Sequence, residues 1–373
     1  MIIGFNLIAL YDEKSDGSFR YIHMLLKEMG NYNLPSTKFI IYKQECVSEQ
    51  YLALPSNLDI EYVNVPNVGR GLKRIIFEQT TFYKYLKFSD VLYSYCLSMP
   101  LFARCKKIFT LHDLYSYIDK ERYSLARKMY IQGMIKLYVK AADKIITVSE
   151  NSKKDIEDYL GVPSKDLHIT YNFVKPIENV VKVDILDEKS CPVDVSDPFF
   201  LYVGSLHNGK NIERMCKAFN QYRKQGGKKR LLMVGKIMEN EESYKELIYK
   251  SEGIVYLGYQ PRAAVDYLLS ICYSVVLVSL YEGFGIPPLE GFMFSKPALV
   301  SSTASLPEVV GKAGTYADPY NINEISEGLF RIEANYSEYK RYTKQQLEKF
   351  SPKESVENFM KILGIQFVER NAK

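Results

Sequence analysis

The chain has 373 residues, 47% of them apolar and 25% charged, a length beyond one ordinary core and a composition that excludes disorder. Its net charge of +5 suits an anionic substrate or a membrane surface, although solubility alone also accounts for it. Six scattered cysteines (Cys46, Cys96, Cys105, Cys191, Cys216, Cys272) without a C-x-x-C pair argue against a disulfide framework and a structural zinc, and fit reduced, mostly buried thiols.

The apolar start, Met1–Leu10, lacks a basic leader and a small-residue cleavage site, and reads as a buried strand over Ile2–Leu10. No run of about eighteen apolar residues spans a bilayer, so the expected setting is cytoplasmic, or peripheral at the inner face of a membrane. The loop Lys14-Ser15-Asp16-Gly17-Ser18 leads into a helix over Ser18–Met29, where Gly17 brings backbone N–H groups near a phosphate and Ser18 caps the helix. Further strands are expected at Lys38–Tyr42, Ile60–Val63, Val91–Tyr93, Lys107–Thr110, Lys144–Val148 and Leu167–Thr170. Helices are expected at Ile75–Phe88, Ser124–Ala142 and Ser152–Tyr159. The stretch Pro176–Pro198 reads as an interdomain connector. A second series follows, with strands at Phe199–Val203, Arg230–Val234, Ile254–Leu257, Ser274–Val278, Ala298–Val300 and Gly314–Tyr316. The final segment, Pro352–Val368, is helical and either caps its own domain or returns to the first. Strands alternating with helices imply an α/β fold of two parallel units, with ligand turns at the carboxyl ends of both sheets. The expected domains are 1–176 and 177–353, with a helix at about 354–373.

Four turns carry chemistry. Val203-Gly204-Ser205-Leu206-His207-Asn208-Gly209-Lys210-Asn211 joins a strand to a helix; small residues admit a diphosphate and Lys210 supplies a cation. An ordinary Gly/Asn-rich turn with a solvated lysine fits the same residues. Glu282-Gly283-Phe284-Gly285-Ile286-Pro287-Pro288-Leu289-Glu290 places two carboxylates around a flexible turn, each suited to a vicinal diol. Glu290 is expected in the first helical turn, where the helix dipole favours its charge. His112, beside Asp113 at the end of a strand, is placed to meet a sugar or acceptor hydroxyl, or is simply held by that aspartate. The fourth is the Gly17 loop, which lacks the G-x-G-x-x-G of dinucleotide oxidoreductases.

These motifs, with Thr147-Val148-Ser149-Glu150-Asn151-Ser152, Ile169-Thr170-Tyr171-Asn172, Lys296–Ser302 and Ser305–Gly314, resemble the family 4 glycosyltransferases. The resemblance runs from about residue 10 to 320. It implies the GT-B architecture, two Rossmann-like domains facing a central cleft. It further implies a retaining, metal-independent transfer from a nucleotide-diphosphate sugar of GDP-mannose, UDP-hexose or dTDP-rhamnose type. The acceptor would be a glycan or lipid-linked chain in surface polysaccharide or glycolipid synthesis. No cofactor and no nucleic acid are expected, and no D-x-D motif occurs. By this resemblance His112, Lys210 and Glu282 serve catalysis, Lys210 holding the diphosphate. Gly17, Gly204, Ser205, Tyr259, Gly283, Phe284, Gly285 and Ile286 border the donor, Glu282 holds the transferred sugar, and Glu290 the ribose. Ser205 replaces an arginine common in relatives, with Arg20 or Arg74 as candidate replacements. A sugar-nucleotide 2-epimerase and a non-catalytic sugar-binding subunit remain alternative readings of the same fold. The segment Tyr123–Lys144 carries five cations against Asp143, interspersed with apolar residues. It reads either as a basic amphipathic helix on an anionic leaflet or as a sheet-packed helix with a solvated basic face.

Overall fold

The computed structural model describes residues 1–12, 17–118, 124–177, 179–238 and 241–370. Lys14, Ser15 and Asp16 of the first loop and Tyr123 of the basic segment lie outside the described residues. The chain divides into unit 1, Met1–Asn172 with Pro352–Lys373, and unit 2, Phe173–Ser351.

Unit 1 runs β1 (Ile2–Asn6), α1 (Gly17–Met29), β2 (Tyr32–Asn33), β3 (Lys38–Gln44), α2 (Glu49–Leu52) and β4 (Ile60–Val65). It continues through α3 (Leu72–Gln79), β5 (Val91–Ser94), β6 (Lys106–Thr110), α4 (Tyr115–Ile118), α5 (Leu125–Ala141), β7 (Lys144–Thr147), α6 (Glu150–Leu160) and β8 (Leu167–Ile169). Its described residues form a seven-stranded sheet, β4-β3-β1-β5-β6-β7-β8, with every pairing parallel. The centres of the interior strands β1, β3, β5, β6 and β7 are buried, as a sheet covered on both faces requires. Right-handed crossovers put α3, α5 and α6 on one face, because those connections cross the sheet in one direction, and α1 and α2 on the other.

Two expected elements are shorter than their apolar runs. β1 stops at Asn6, whose Nδ2 donates to Glu78 Oε1 at 3.1 Å and to the Ser98 carbonyl at 3.0 Å. Its Oδ1 accepts from the Ile8 N–H, which turns the chain before Leu10. The helix expected over Ile75–Phe88 ends at Gln79 and continues as a short 3₁₀ turn, Thr81–Lys84. There the Thr80 hydroxyl donates to the Ile76 carbonyl at 2.6 Å and competes with the helical ladder.

Unit 2 runs β9 (Phe199–Val203), α7 (Ile212–Lys224), β10 (Arg230–Val234), α8 (Glu241–Tyr249), β11 (Ile254–Gly258), α9 (Arg262–Ile271) and β12 (Ser274–Leu277). It ends with α10 (Ile286–Met293), β13 (Ala298–Ser301), α11 (Leu306–Val310), β14 (Gly314–Ala317), α12 (Ile322–Ala334) and α13 (Tyr336–Lys349). Its described residues form a six-stranded parallel sheet, β11-β10-β9-β12-β13-β14. The segment expected as a connector packs on this unit: Ile185 is buried, Gln260 donates to the Leu186 carbonyl and Lys245 pairs with Glu188 at 3.0 Å.

After unit 2 the chain returns to unit 1 through α14 (Pro352–Leu363), where Phe359 meets Tyr93 edge-on at 5.0 Å. The helix expected to Val368 stops at Leu363, followed by Gly364 at φ +83°, and β15 (Val368–Glu369) pairs antiparallel with β2. Among the described residues no helix is long and apolar enough to cross a membrane. The cysteines divide: Cys216 and Cys272 are buried, which pushes their thiols up to about 12, whereas Cys46 and Cys191 are exposed.

Candidate active site

The strand order of unit 2 reverses between β9 and β12, and such a switch point opens a crevice at the carboxyl ends of the two strands. The turns leaving those strands are the two that carry Lys210 and Glu282. They are laced together by backbone. The Leu280 N–H donates to the Gly209 carbonyl at 2.9 Å. Asn211, in the left-handed region at φ +60°, caps the start of α7 and donates through Nδ2 to the Val278 carbonyl at 3.0 Å and the Pro319 carbonyl at 2.7 Å. Arg214 in turn donates to Asn211 Oδ1 at 3.1 Å.

On this frame Lys210 Nζ meets Glu282 Oε1 at 2.5 Å, with both side chains largely buried. The Ser279 hydroxyl donates to the same oxygen at 2.6 Å. The backbone of the Glu282 turn is fixed from the end of β13 and from Ser305, which precedes α11. Ser305 donates to the carbonyls of Glu282 at 2.9 Å and Phe284 at 2.7 Å, and Ser301 to that of Ser279 at 2.5 Å. Phe284 is buried edge-on against Phe350 at 5.2 Å. Gly285 has φ +113°, and a Cβ there would stand 2.6 Å from a Leu306 methyl, so both backbone and space demand glycine. It precedes Ile286, the first residue of α10, and Pro287 and Pro288 contribute no N–H. The N–H groups at this helix start therefore come from the Gly283–Ile286 backbone, where the dipole favours an anion.

Glu290 is not in the first turn of α10. The helix begins at Ile286, which makes Glu290 its fifth residue, beyond the strongest part of the dipole. It is 2% exposed, and what balances its charge is a cation absent from every motif: Arg262 Nη1 meets Glu290 Oε1 at 2.5 Å. Arg262 also pairs with Asp266 at 2.5 Å. Burial works against the guanidinium's charge, but Glu290 and Asp266 outweigh it and hold Arg262 above its usual range.

The Gly204 turn is built by close approach. Gly204 and Gly235, the latter at φ +142°, touch so tightly that a Cβ on Gly235 would lie 1.9 Å from the Gly204 carbonyl oxygen. Ser205 contributes its carbonyl to the Tyr202 hydroxyl at 2.9 Å. Tyr259, 69% exposed after β11, lies under the Lys236 ammonium, 5.1 Å from the ring centroid. Lys236 is a second cation in this end of the unit that motif reading passed over.

Gly17 and His112 belong to unit 1. Gly17 opens α1 in open space, where an added Cβ would meet no atom within 4 Å. His112 is half-buried, its Nε2 donating to the Tyr95 carbonyl at 3.2 Å, with the Tyr21 ring edge-on at 5.1 Å. Asp113 accepts from the Tyr115 N–H at 2.9 Å. Arg74, considered as a substitute phosphate cation, is buried beside Glu78 at 3.2 Å and donates to the Leu97 carbonyl at 2.8 Å. Two surface cavities of unit 1, of 610 and 340 Å³, contain none of the predicted site residues. Among the described residues no group of three or more His, Cys, Asp or Glu could hold a metal ion.

Two parallel sheets, one carrying paired acids and a lysine at its switch point, define a two-Rossmann protein of the GT-B class. Residues 61–177 match the model of Glycosyltransferase Family 4 and residues 186–349 that of Glycosyl transferases group 1. The chain belongs to the family 4 glycosyltransferases. It is 27% identical over 235 residues to O-antigen chain mannosyltransferase B of Escherichia coli, covering 61% of each chain. It is 26% identical over 277 residues to the serotype-specific mannosyltransferase WbdA of E. coli, covering 69% of this chain and 33% of that one. The matched regions thus span less than two thirds of these relatives' lengths. The solved structure of Anabaena HepE in complex with UDP and glucose aligns over 98% of this chain and 99% of that one, at a TM-score of 0.68 and 16% identity.

Proposed function

We propose that the protein transfers a sugar, with retention and without a divalent metal, from a nucleotide-diphosphate sugar to a glycan or lipid-linked acceptor in surface polysaccharide synthesis. The observation that carries this reading is the Lys210–Glu282 pair beside the Gly283–Ile286 helix start, with Glu290 on the same helix. Lys210 and the helix-start N–H groups stabilise the diphosphate as the bond from sugar C1 to its oxygen breaks. The acceptor oxygen bonds to C1 on the same face, and its proton passes to the departing phosphate oxygen. Glu282, which meets Lys210, holds sugar hydroxyls, and Glu290 holds the ribose diol. His112 orients a sugar or acceptor hydroxyl. Relatives named as mannosyltransferases favour a mannosyl donor.

Calorimetric titration of GDP, UDP and dTDP, with and without EDTA, tests the reading. One nucleoside diphosphate is expected to bind in EDTA, and Glu290→Ala to abolish that binding. Unchanged binding in Glu290→Ala refutes the site. Conversion of the donor sugar to its C2 epimer in the absence of acceptor refutes transfer in favour of epimerisation.

A further inference from the structure

We infer that the α3–α5 face of unit 1 is a docking surface for an anionic lipid bilayer. The two helices are neighbours: Gln79 at the end of α3 donates to the Met99 carbonyl at 2.9 Å, and Met99 lies in one buried cluster with Ile135 and Tyr138 of α5. A helix packed on a sheet ordinarily turns its apolar residues inward and its polar residues out. α5 does this with Ile135 and Tyr138, which are buried, but its outer side is also apolar. Leu125 is 74% exposed, Met129 65% and Leu137 50%. On α3, Leu72 and Ile76 are likewise exposed, one turn apart. The exposed apolar residues go beyond a sheet-packed helix with a solvated basic face, and they extend the anionic-leaflet reading of this segment from α5 to α3.

The charges between these apolar residues have one sign. Lys73, Arg127, Lys136 and Lys140 are exposed on the two helices. The acid these helices carry, Glu78, is fully buried in its pair with Arg74. Lys136 and Lys140 also line the 610 Å³ cavity at the end of α5, together with Lys144 and with Asp143 and Asp166, two acids that lie outside both helices. Apolar side chains interleaved with lysines, and no exposed acid on either helix, complement a leaflet whose interior is hydrocarbon and whose surface is anionic. Lysine stems reach from the acyl boundary to the headgroups. A nucleic acid would leave the apolar residues in water, and a protein interface is depleted of lysine at its centre.

The chain contains no tryptophan, so a single introduced one reports its own surroundings. Leu137→Trp places it on the proposed face; Tyr249→Trp places it in unit 2 at the same 50% exposure. With vesicles of phosphatidylglycerol and phosphatidylcholine, the emission of Leu137→Trp is expected to shift to the blue and that of Tyr249→Trp to stay. In co-sedimentation with the same vesicles, the double change Lys136→Gln, Lys140→Gln is expected to lose about thirtyfold in affinity, at roughly fivefold per lysine near a charged surface. Melting curves of each variant establish that it is folded. No blue shift in Leu137→Trp, equal shifts in both reporters, or unchanged affinity of the double variant would overturn the proposal. So would a blue shift without vesicles that grows with protein concentration, which would assign the face to a second copy of the chain. Because these readouts need neither donor nor acceptor, they stand or fall separately from the transfer reaction.

Discussion

Replacing Arg262 with alanine isolates the ion pair that the motifs did not contain. Glu290 is 3% exposed at its side chain, and Arg262 is 44% exposed at its own. Removing one partner of a fully buried pair costs about 3–5 kcal/mol, because the remaining charge is left unsolvated. Here water already reaches nearly half of the guanidinium and can follow into the space it leaves, which reduces the expected loss to about 1–2 kcal/mol. For a unit of this size that loss lowers the melting temperature by roughly 2–8 °C. The experiment is a double-mutant cycle by thermal melting with Arg262→Ala, Glu290→Gln and the pair combined. The combined variant is expected to lose less than the sum of the two, since Glu290→Gln removes the stranded charge. If the two losses simply add, or if Arg262→Ala melts with the wild type, Arg262 does not support Glu290 and its assigned role is refuted. The same variant is expected to weaken nucleoside diphosphate binding, because a carboxylate without its partner no longer stays in position for the ribose.

Three further outcomes follow from the geometry. Lys210→Met is expected to weaken nucleoside diphosphate binding by about 1.5–3 kcal/mol, the range of a charge-assisted contact, while Glu282→Gln, which releases Lys210, lowers turnover and leaves that affinity equal or higher; calorimetry and rate measurements together check the pair. Gly235→Ala must open the contact with the Gly204 carbonyl and hold alanine at φ +142°, a strain of about 3 kcal/mol or more, visible as a lower urea midpoint. Burial lowers the pKa of His23 and of His168, so below their unfolded value of 6.5 the unfolded chain binds more protons than the native one. Stability is therefore expected to fall as pH drops through about 6.5, and His23→Asn to flatten that slope in melts taken between neutral and mildly acid pH.

The strands of unit 2 were legible because each is a short, doubly buried apolar run closed by a turn, and β9 and β10 begin and end where the sequence pattern places them. Unit 1 was less transparent at element ends, where side chains decide. The hydrogen bonds of Asn6 end a strand inside an apolar run, and the Thr80 hydroxyl ends a helix inside a helical pattern. In the candidate site, Lys210 and Glu282 are 72 positions apart, yet both follow strands at one switch point, and the fold brings their charges into contact. Arg262 had no such signal. It opens α9, outside any recognisable turn motif, and only the packing of α9 beside α10 gives it a role. Arg74 shows the reverse error, since a cation can be named from sequence while the buried acid that occupies it, Glu78, cannot.

The return of the chain through α14 sets an order of events during synthesis. Unit 1 is written in two instalments: Phe359 covers Tyr93, and Lys144 donates to the Ile362 carbonyl at 3.1 Å, contacts that cannot form until those last residues have left the ribosome. Unit 2 is contiguous in sequence and is translated whole before α14 emerges. The amino-terminal sheet must therefore wait, with one flank uncovered, while a later part of the message completes its own core. An early ribosomal stop within Pro352–Leu363 would damage the part of the protein made first.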